Sequence, residues 1–236
     1  MKHIFIDLEM NNVAKEHKDF IKISRQETIE IGAVKLDDKY ELEDEFKEYV
    51  KPQYNTIIEP KFVHLTGITT ADVSGADTFA NVLRRFIKWC GSDYKIYSWS
   101  DCDKAQLLHE IKAKGLVEFD TDPGLNYMYD NWIDYQNEFK KELHLSHIMS
   151  LSKAVDLSGL AFEGKAHDGL IDARNTALLF RASRNSEDYA KMRKAFTEAF
   201  TPTVFTMADL IDFSQLKFDD EDSSSQTNNS ITNSNE

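Results

Sequence analysis

The segment KHIFIDLEM, Lys2 to Met10, constrains this chain more than any other, because it has the Ile- and Phe-rich composition of a core strand and yet carries two carboxylates. Strand side chains alternate with period two. Phe5, Asp7 and Glu9 therefore project to one face, and Ile4, Ile6 and Leu8 to the other. The two acids stand roughly 7 Å apart along the backbone. Like charges on an apolar strand repel each other and are poorly solvated, so protons, a basic partner or a metal must neutralise them. The alternative is that the strand has already ended and both acids lie in water.

The Asn11-Asn12 pair is expected to close a strand over Lys2 to Leu8, and Asn12 to Gln26, charged and without sustained period, to form an excursion loop. Thr28 to Leu36 and Glu45 to Val50 predict two further strands, antiparallel neighbours of the first, joined through the Asp37-Asp38-Lys39 turn. Thr78 to Cys90 predicts a helix closed by Gly91, with Phe79, Val82, Leu83, Phe86, Ile87 and Cys90 on one face. Lys95 to Trp99 predicts a strand and Lys104 to Lys114 a helix. Two helices are expected between Ile133 and Val155, and a strong one over Gly169 to Ala182. Strands first, then alternation of strand and helix, give an α/β fold with a mixed sheet flanked by helices.

A chain of 236 residues, 41% hydrophobic, with only 9 Gly and 4 Pro, is globular and suits one large domain with extras. We place that domain at residues 1–205 and a C-terminal extension at 206–236, expected to be disordered from about Asp219, where DDEDSSSQTNNSITNSNE offers almost no apolar surface. The net charge of −13 has the wrong sign for a protein that coats a polyanion. Asp219, Asp220, Glu221, Asp222 and Glu236 hold −5 of it and leave −8 elsewhere, and each divalent cation held by carboxylates would cancel two more charges locally. The charged N-terminus is no signal peptide, and no 18-residue apolar run is present. Two cysteines, Cys90 and Cys102, make no disulfide framework. A cytoplasmic protein without a membrane partner is the expectation; the oligomeric state stays open.

Two later clusters join the acid pair. Asp103 follows the strand YKIYSWSDC at a strand-to-helix junction, where Asp101 is the more natural N-cap. His167 precedes the strong helix and Asp172 lies a turn inside it, on a face expected to be shared with Asp168. Singly, each acid reads as helix-terminal electrostatics. Together, four carboxylates can hold two Mg²⁺ ions about 3.5 to 4 Å apart. A histidine, with a reference pKa near ~6.5, can accept a proton from water at neutral pH. This set suits metal-assisted phosphodiester hydrolysis.

The motifs FIDLEM, SWSDCDKAQL and HDGLIDARNTALL resemble those of the DEDDh 3′-5′ exonucleases of the ribonuclease H-like superfamily, the group of replicase proofreading subunits, oligoribonuclease and RNA-interference-type exoribonucleases. The resemblance runs from Lys2 to Ala182 and includes TIEIGAVKLD and VHLTGITTADV. It implies a ribonuclease H-like mixed five-stranded sheet, with Asp7, Glu9, Asp103 and Asp172 as ligands of two Mg²⁺ or Mn²⁺ ions. It implies His167 as general base, and Met10 and Leu65 as grips on the terminal nucleotide, although core packing suits both equally well. The substrate implied is the 3′ end of single-stranded RNA or DNA, trimmed to nucleoside 5′-monophosphates. Met10 follows the oligoribonuclease-like DLEM pattern where many DNA-directed relatives have Thr, while the middle of the chain resembles RNA-interference-type relatives, so the sugar stays open.

Rival readings are weaker. His167-Asp168 as the dyad of an all-helical phosphohydrolase leaves no place for the first strand. His144 and His147 have no adjacent carboxylate and read as an exposed helical face. Arg84, Arg85, Lys88, Lys112 and Lys114 read as solvated faces. A catalytically silent nucleic-acid-binding or regulatory module on the same fold is the alternative from another class.

Overall fold

Lys2–Asn12 forms β1, the strand around which the rest is laid. The computed structural model describes residues 1–200; the expected boundary at 205 and the acidic tail lie outside the described residues. β2 (Gln26–Leu36) and β3 (Leu42–Lys51) follow as antiparallel neighbours, as expected. β4 (Asp77–Thr78), β5 (Tyr94–Ser98) and β6 (Trp132–Asp134) complete a mixed sheet in the order β4-β3-β2-β1-β5-β6. The sheet thus has six strands and not five. The two-residue β4 runs parallel to Val50 and Lys51 at the edge, too short to leave a hydrophobic pattern.

Ten α-helices accompany it among the described residues: α1 (Lys18–Ile21), α2 (Pro60–Thr66), α3 (Thr70–Ser74), α4 (Phe79–Cys90), α5 (Cys102–Ala113), α6 (Pro123–Asp130), α7 (Tyr135–Glu142), α8 (Leu151–Leu157), α9 (Gly169–Arg184) and α10 (Ser186–Phe200). The alternation of β1 explains the layering. Ile4, Ile6 and Leu8 pack with Val82, Leu83 and Phe86 of α4 and Leu107 of α5 on one face. Phe5 packs with Ala173, Ala177 and Phe180 of α9 and Tyr135 of α7 on the other. Each fully buried aromatic or aliphatic side chain here contributes about 1.5 to 3 kcal/mol.

Two expectations are corrected. β1 does not end at Leu8: pairing with β2 continues to Asn12–Gln26, past an irregularity between Glu9 and Met10. The Asn11 side chain is fully buried, donating to the carbonyls of Asn55 and Ile57 and accepting from the Glu59 N–H at 3.1 Å. These bonds let a polar residue end a core strand, and they fix the segment that leads into α2. Lys114 is not solvated: its side chain is 4% exposed and lies 3.0 Å from both Glu27 and Glu110. Glu27 in turn accepts the backbone N–H groups of Gln53, Tyr54 and Asn55, so the ion pair anchors the same segment. Arg84 and Arg85 are paired to Glu118, Glu48 and Asp77 at the surface. No described helix is long and apolar enough to cross a membrane.

Candidate active site

The site lies where β1 outruns its parallel neighbour. The β1/β5 ladder pairs Lys2 through Phe5 with Tyr94 through Tyr97 and stops there, so the following β1 amides on that edge need other partners. α5 supplies one. Asp103, buried in its first turn, accepts the Leu8 N–H through Oδ1 at 3.2 Å. Asp101 occupies the N-cap position, as expected, but its side chain makes no capping bond.

α9 supplies the rest from the opposite side of β1. Its N-cap is Asp168, whose Oδ1 accepts the Ile171 N–H at 3.2 Å. Asp168 and Asp172 do not share the site: Asp168 turns outward to Lys47, at 2.6 Å, while Asp172 turns inward. Asp172 Oδ2 accepts the His167 N–H at 2.9 Å, and its buried Oδ1 has no hydrogen-bond partner among the described residues. His167 itself is exposed and adopts a φ of 66°, a left-handed conformation that costs a side-chain-bearing residue energy and recurs at functional sites.

Ligand atoms of Glu9, His167 and Asp172 lie within 4.8 Å of one another. Asp7 sits one alternation back on the same face of β1. Burial raises its carboxyl well above the usual range, with Asp103, Glu9, Asp172 and Glu30 adding their charges. Glu9 is raised to about 8, by burial and then by Asp172 and Glu30, and Asp103 to about 7, chiefly by burial. Burial also raises Asp172, against the pull of the His167 N–H and imidazole. Four carboxyls whose ionisation burial hinders, one with an orphaned oxygen, form an all-oxygen donor set of the kind hard divalent cations take. The Glu9, His167 and Asp172 group can hold a divalent metal ion, and the neighbouring Asp7 and Asp103 fit the same demand. His144 and His147 are exposed between α7 and α8, off any helix and outside this group.

Of the two expected substrate grips, Met10 is half-buried and packs on the core, whereas Leu65 on α2 is 40% exposed, which core packing does not explain. Sequence reasoning missed Glu30 and Lys47. Glu30 is directly opposite Glu9 in the β1/β2 ladder and 1% exposed. Burial raises its carboxyl while Lys47, 3.5 Å away, lowers it. The signal was present: Glu30 is an acid inside the apolar TIEIGAVKL, in phase with Glu9 once the strands are paired.

Comparison with known proteins places this arrangement. A family model described as an exonuclease, RNase_T, matches residues 4–180. ERI1 exoribonuclease 2 of Danio rerio is 33% identical over 179 residues, 66% of this chain and 31% of that protein. The Homo sapiens 3′-5′ exoribonuclease 1 is 28% identical over 170 residues, 65% of this chain and 44% of that one. The chain therefore spans less than half the length of either relative. Among solved structures, the nuclease domain of 3′hExo, a DEDDh family member bound to rAMP, superposes with a TM-score of 0.62 at 24% identity, covering 78% of this chain and 91% of that one. E. coli exonuclease I in complex with a dA16 oligonucleotide gives 0.57 at 14% identity, over 83% and 43%. These structural likenesses show the shared ribonuclease H-like fold.

Proposed function

Since the chain belongs to the DEDDh 3′-5′ exonuclease family, we propose that it hydrolyses the terminal phosphodiester at the 3′ end of single-stranded nucleic acid and releases nucleoside 5′-monophosphates. The observation that carries this reading is the meeting of Glu9, Asp172 and His167 within 4.8 Å beside β1. Asp7, Glu9, Asp103 and Asp172 would hold two Mg²⁺ or Mn²⁺ ions. Bound there, such ions lower the pKa of a water and offset charge on the leaving oxygen.

The protein's own groups do the rest. His167 is exposed on its turn and takes the proton from the attacking water as general base. Asp172 holds that turn through the His167 N–H while keeping Oδ1 free. Asp103 accepts the Leu8 N–H through Oδ1, which fixes its carboxyl beside β1. Leu65 and Met10 grip the terminal nucleotide by apolar contact, which tolerates any base. RNA is the preferred substrate, supported by relatives named as exoribonucleases. Cys90 and Cys102 are both free thiols, in keeping with action in the cytoplasm.

The test is a gel time course of 5′-labelled single-stranded RNA and DNA of one sequence, with Mg²⁺, Mn²⁺ or EDTA, beside Asp7→Asn. Metal-dependent laddering from the 3′ end, faster on RNA and absent in the variant, is expected. No degradation of either strand would leave a silent binding module.

A further inference from the structure

We propose that Lys47 is a positioning residue that holds His167 in its reactive place through Asp168; the inference rests on the exonuclease reading for its kinetic consequence, but not for its structural one. Asp7, Gly32 and Lys47 form one row across β1, β2 and β3, Asp7 paired with Gly32 and Gly32 with Lys47. Side chains in one row leave the sheet on one face, here the face covered by the start of α9. With no side chain at Gly32, Lys47 reaches past it to Asp168, its Nζ 2.6 Å from Oδ2 and 3.5 Å from Glu30 Oε2.

Asp168 is thereby held twice, by Lys47 on Oδ2 and by the Ile171 N–H on Oδ1. Its carbonyl also accepts the Asp172 N–H at 2.8 Å. The preceding residue, His167, is tied by its own N–H to Asp172 and strained at a φ of 66°. A strained turn persists only where its surroundings over-determine it. Lys47 is the cation between Asp168 and buried Glu30. Without it, two carboxylates facing the same helix start would repel, and the turn would gain a reason to relax.

The charged ends of this bridge are about one-third exposed, 31% for Lys47 and 30% for Asp168, so its direct worth to stability is small. Its effect falls on geometry instead. Displacements near 1 Å of a reacting group cost up to roughly 100-fold in rate.

Two measurements test this, using Lys47→Met, Lys47→Arg and the parent. The first is amide hydrogen exchange across residues 165–172, which needs no activity: faster exchange at the His167 and Ile171 amides is expected in Lys47→Met and near-parent exchange in Lys47→Arg. Unchanged exchange in Lys47→Met overturns the proposal whatever the enzyme does. The second is steady-state trimming of single-stranded RNA, in which Lys47→Met loses roughly 10- to 100-fold in kcat with KM within about twofold, and Arg restores most of it. A loss carried by KM, or a kcat within twofold of the parent, overturns it too. A parent that trims nothing counts against the exonuclease reading alone, since the exchange result stands by itself.

Discussion

Gly32 of β2 and Gly169 of α9 meet backbone to backbone: a Cβ on Gly32 would collide with the Gly169 carbonyl carbon and the Leu170 amide nitrogen. A Cβ on Gly169 would stand 3.0 Å from the Asp7 carbonyl and from Glu30 Oε1. The missing side chains let the start of α9 settle on the sheet, and with it His167 and Asp172 reach Glu9 of β1. Gly32→Ala must push that helix start away, because the obstructing atoms are main chain. Overpacking of this kind costs about 1 to 3 kcal/mol. Thermal denaturation should show a lowered midpoint, and nuclease activity should fall by more than the folded fraction does. A Gly32→Ala protein with parental activity would mean that the approach of α9 does not set the site.

The acid cluster makes metal-free stability depend on pH. Glu9 titrates near about 8 in the folded protein, against roughly 4.3 in an unfolded chain. Between these values the folded protein keeps a proton that the unfolded chain has released. This contribution is therefore full below pH ~4.3 and lost as pH rises through about 8, on the order of 5 kcal/mol in all. Asp7, Asp103 and Asp172, also raised, act in the same direction. His3, held below its usual range chiefly by burial, acts in the opposite direction, its contribution to stability rising with pH. In EDTA, melting temperature should fall from pH 6.5 to 8.5, and Glu9→Gln should flatten the slope. Added Mn²⁺ should stabilise more at pH 8.5 than at 6.5, because it competes with those protons; equal stabilisation at both would contradict the ligand assignment.

Much of this was legible before the structure. Asp7 and Glu9 stand out because ionisable groups on an apolar strand need an explanation, and His167 and Asp172 because α9 has strong periodicity just behind them. What escaped depends on tertiary pairing. Glu30 becomes part of the cluster only through its register against Glu9. Lys47 matters only because Gly32 beside it has no side chain. Lys114 is buried because Glu27 and Glu110, distant in sequence, converge on it. Short elements such as β6 and α2 carry too few residues for period to register, and α10 went unnoticed although Met192 and Phe196 bury one side of it.

Asn11 ties β1 to the segment that leads into α2. Truncation to Ala leaves the part-buried carbonyls of Asn55 and Ile57 and the Glu59 N–H without their partner. A loss of about 2 to 3 kcal/mol is expected in denaturant titration. Because the freed segment leads into α2, KM for RNA should rise while kcat changes little. The opposite split would place the role of Asn11 in the chemistry and not in that segment.

His167→Ala separates proton transfer from metal binding. Losing a general base costs roughly 10² to 10⁴ in rate. Calorimetric titration with Mn²⁺ should still show binding, since the four carboxylates remain. A variant as active as the parent would remove histidine from the mechanism, and abolished Mn²⁺ binding would make it a ligand.

Leu65 offers the sharpest division between packing and recognition. At 40% exposed on α2, it buries too little surface for its removal to unfold the protein, and Leu65→Ala should leave the melting temperature within a few degrees of the parent. If the side chain grips the terminal nucleotide, the same variant should raise KM for a short single-stranded RNA several-fold, the loss of about 1 kcal/mol of apolar contact. The effect should be equal for oligonucleotides ending in any of the four bases, because an aliphatic contact reads no hydrogen-bond pattern. A base-dependent change would show that Leu65 borders a selective pocket; a parental KM would return it to ordinary surface.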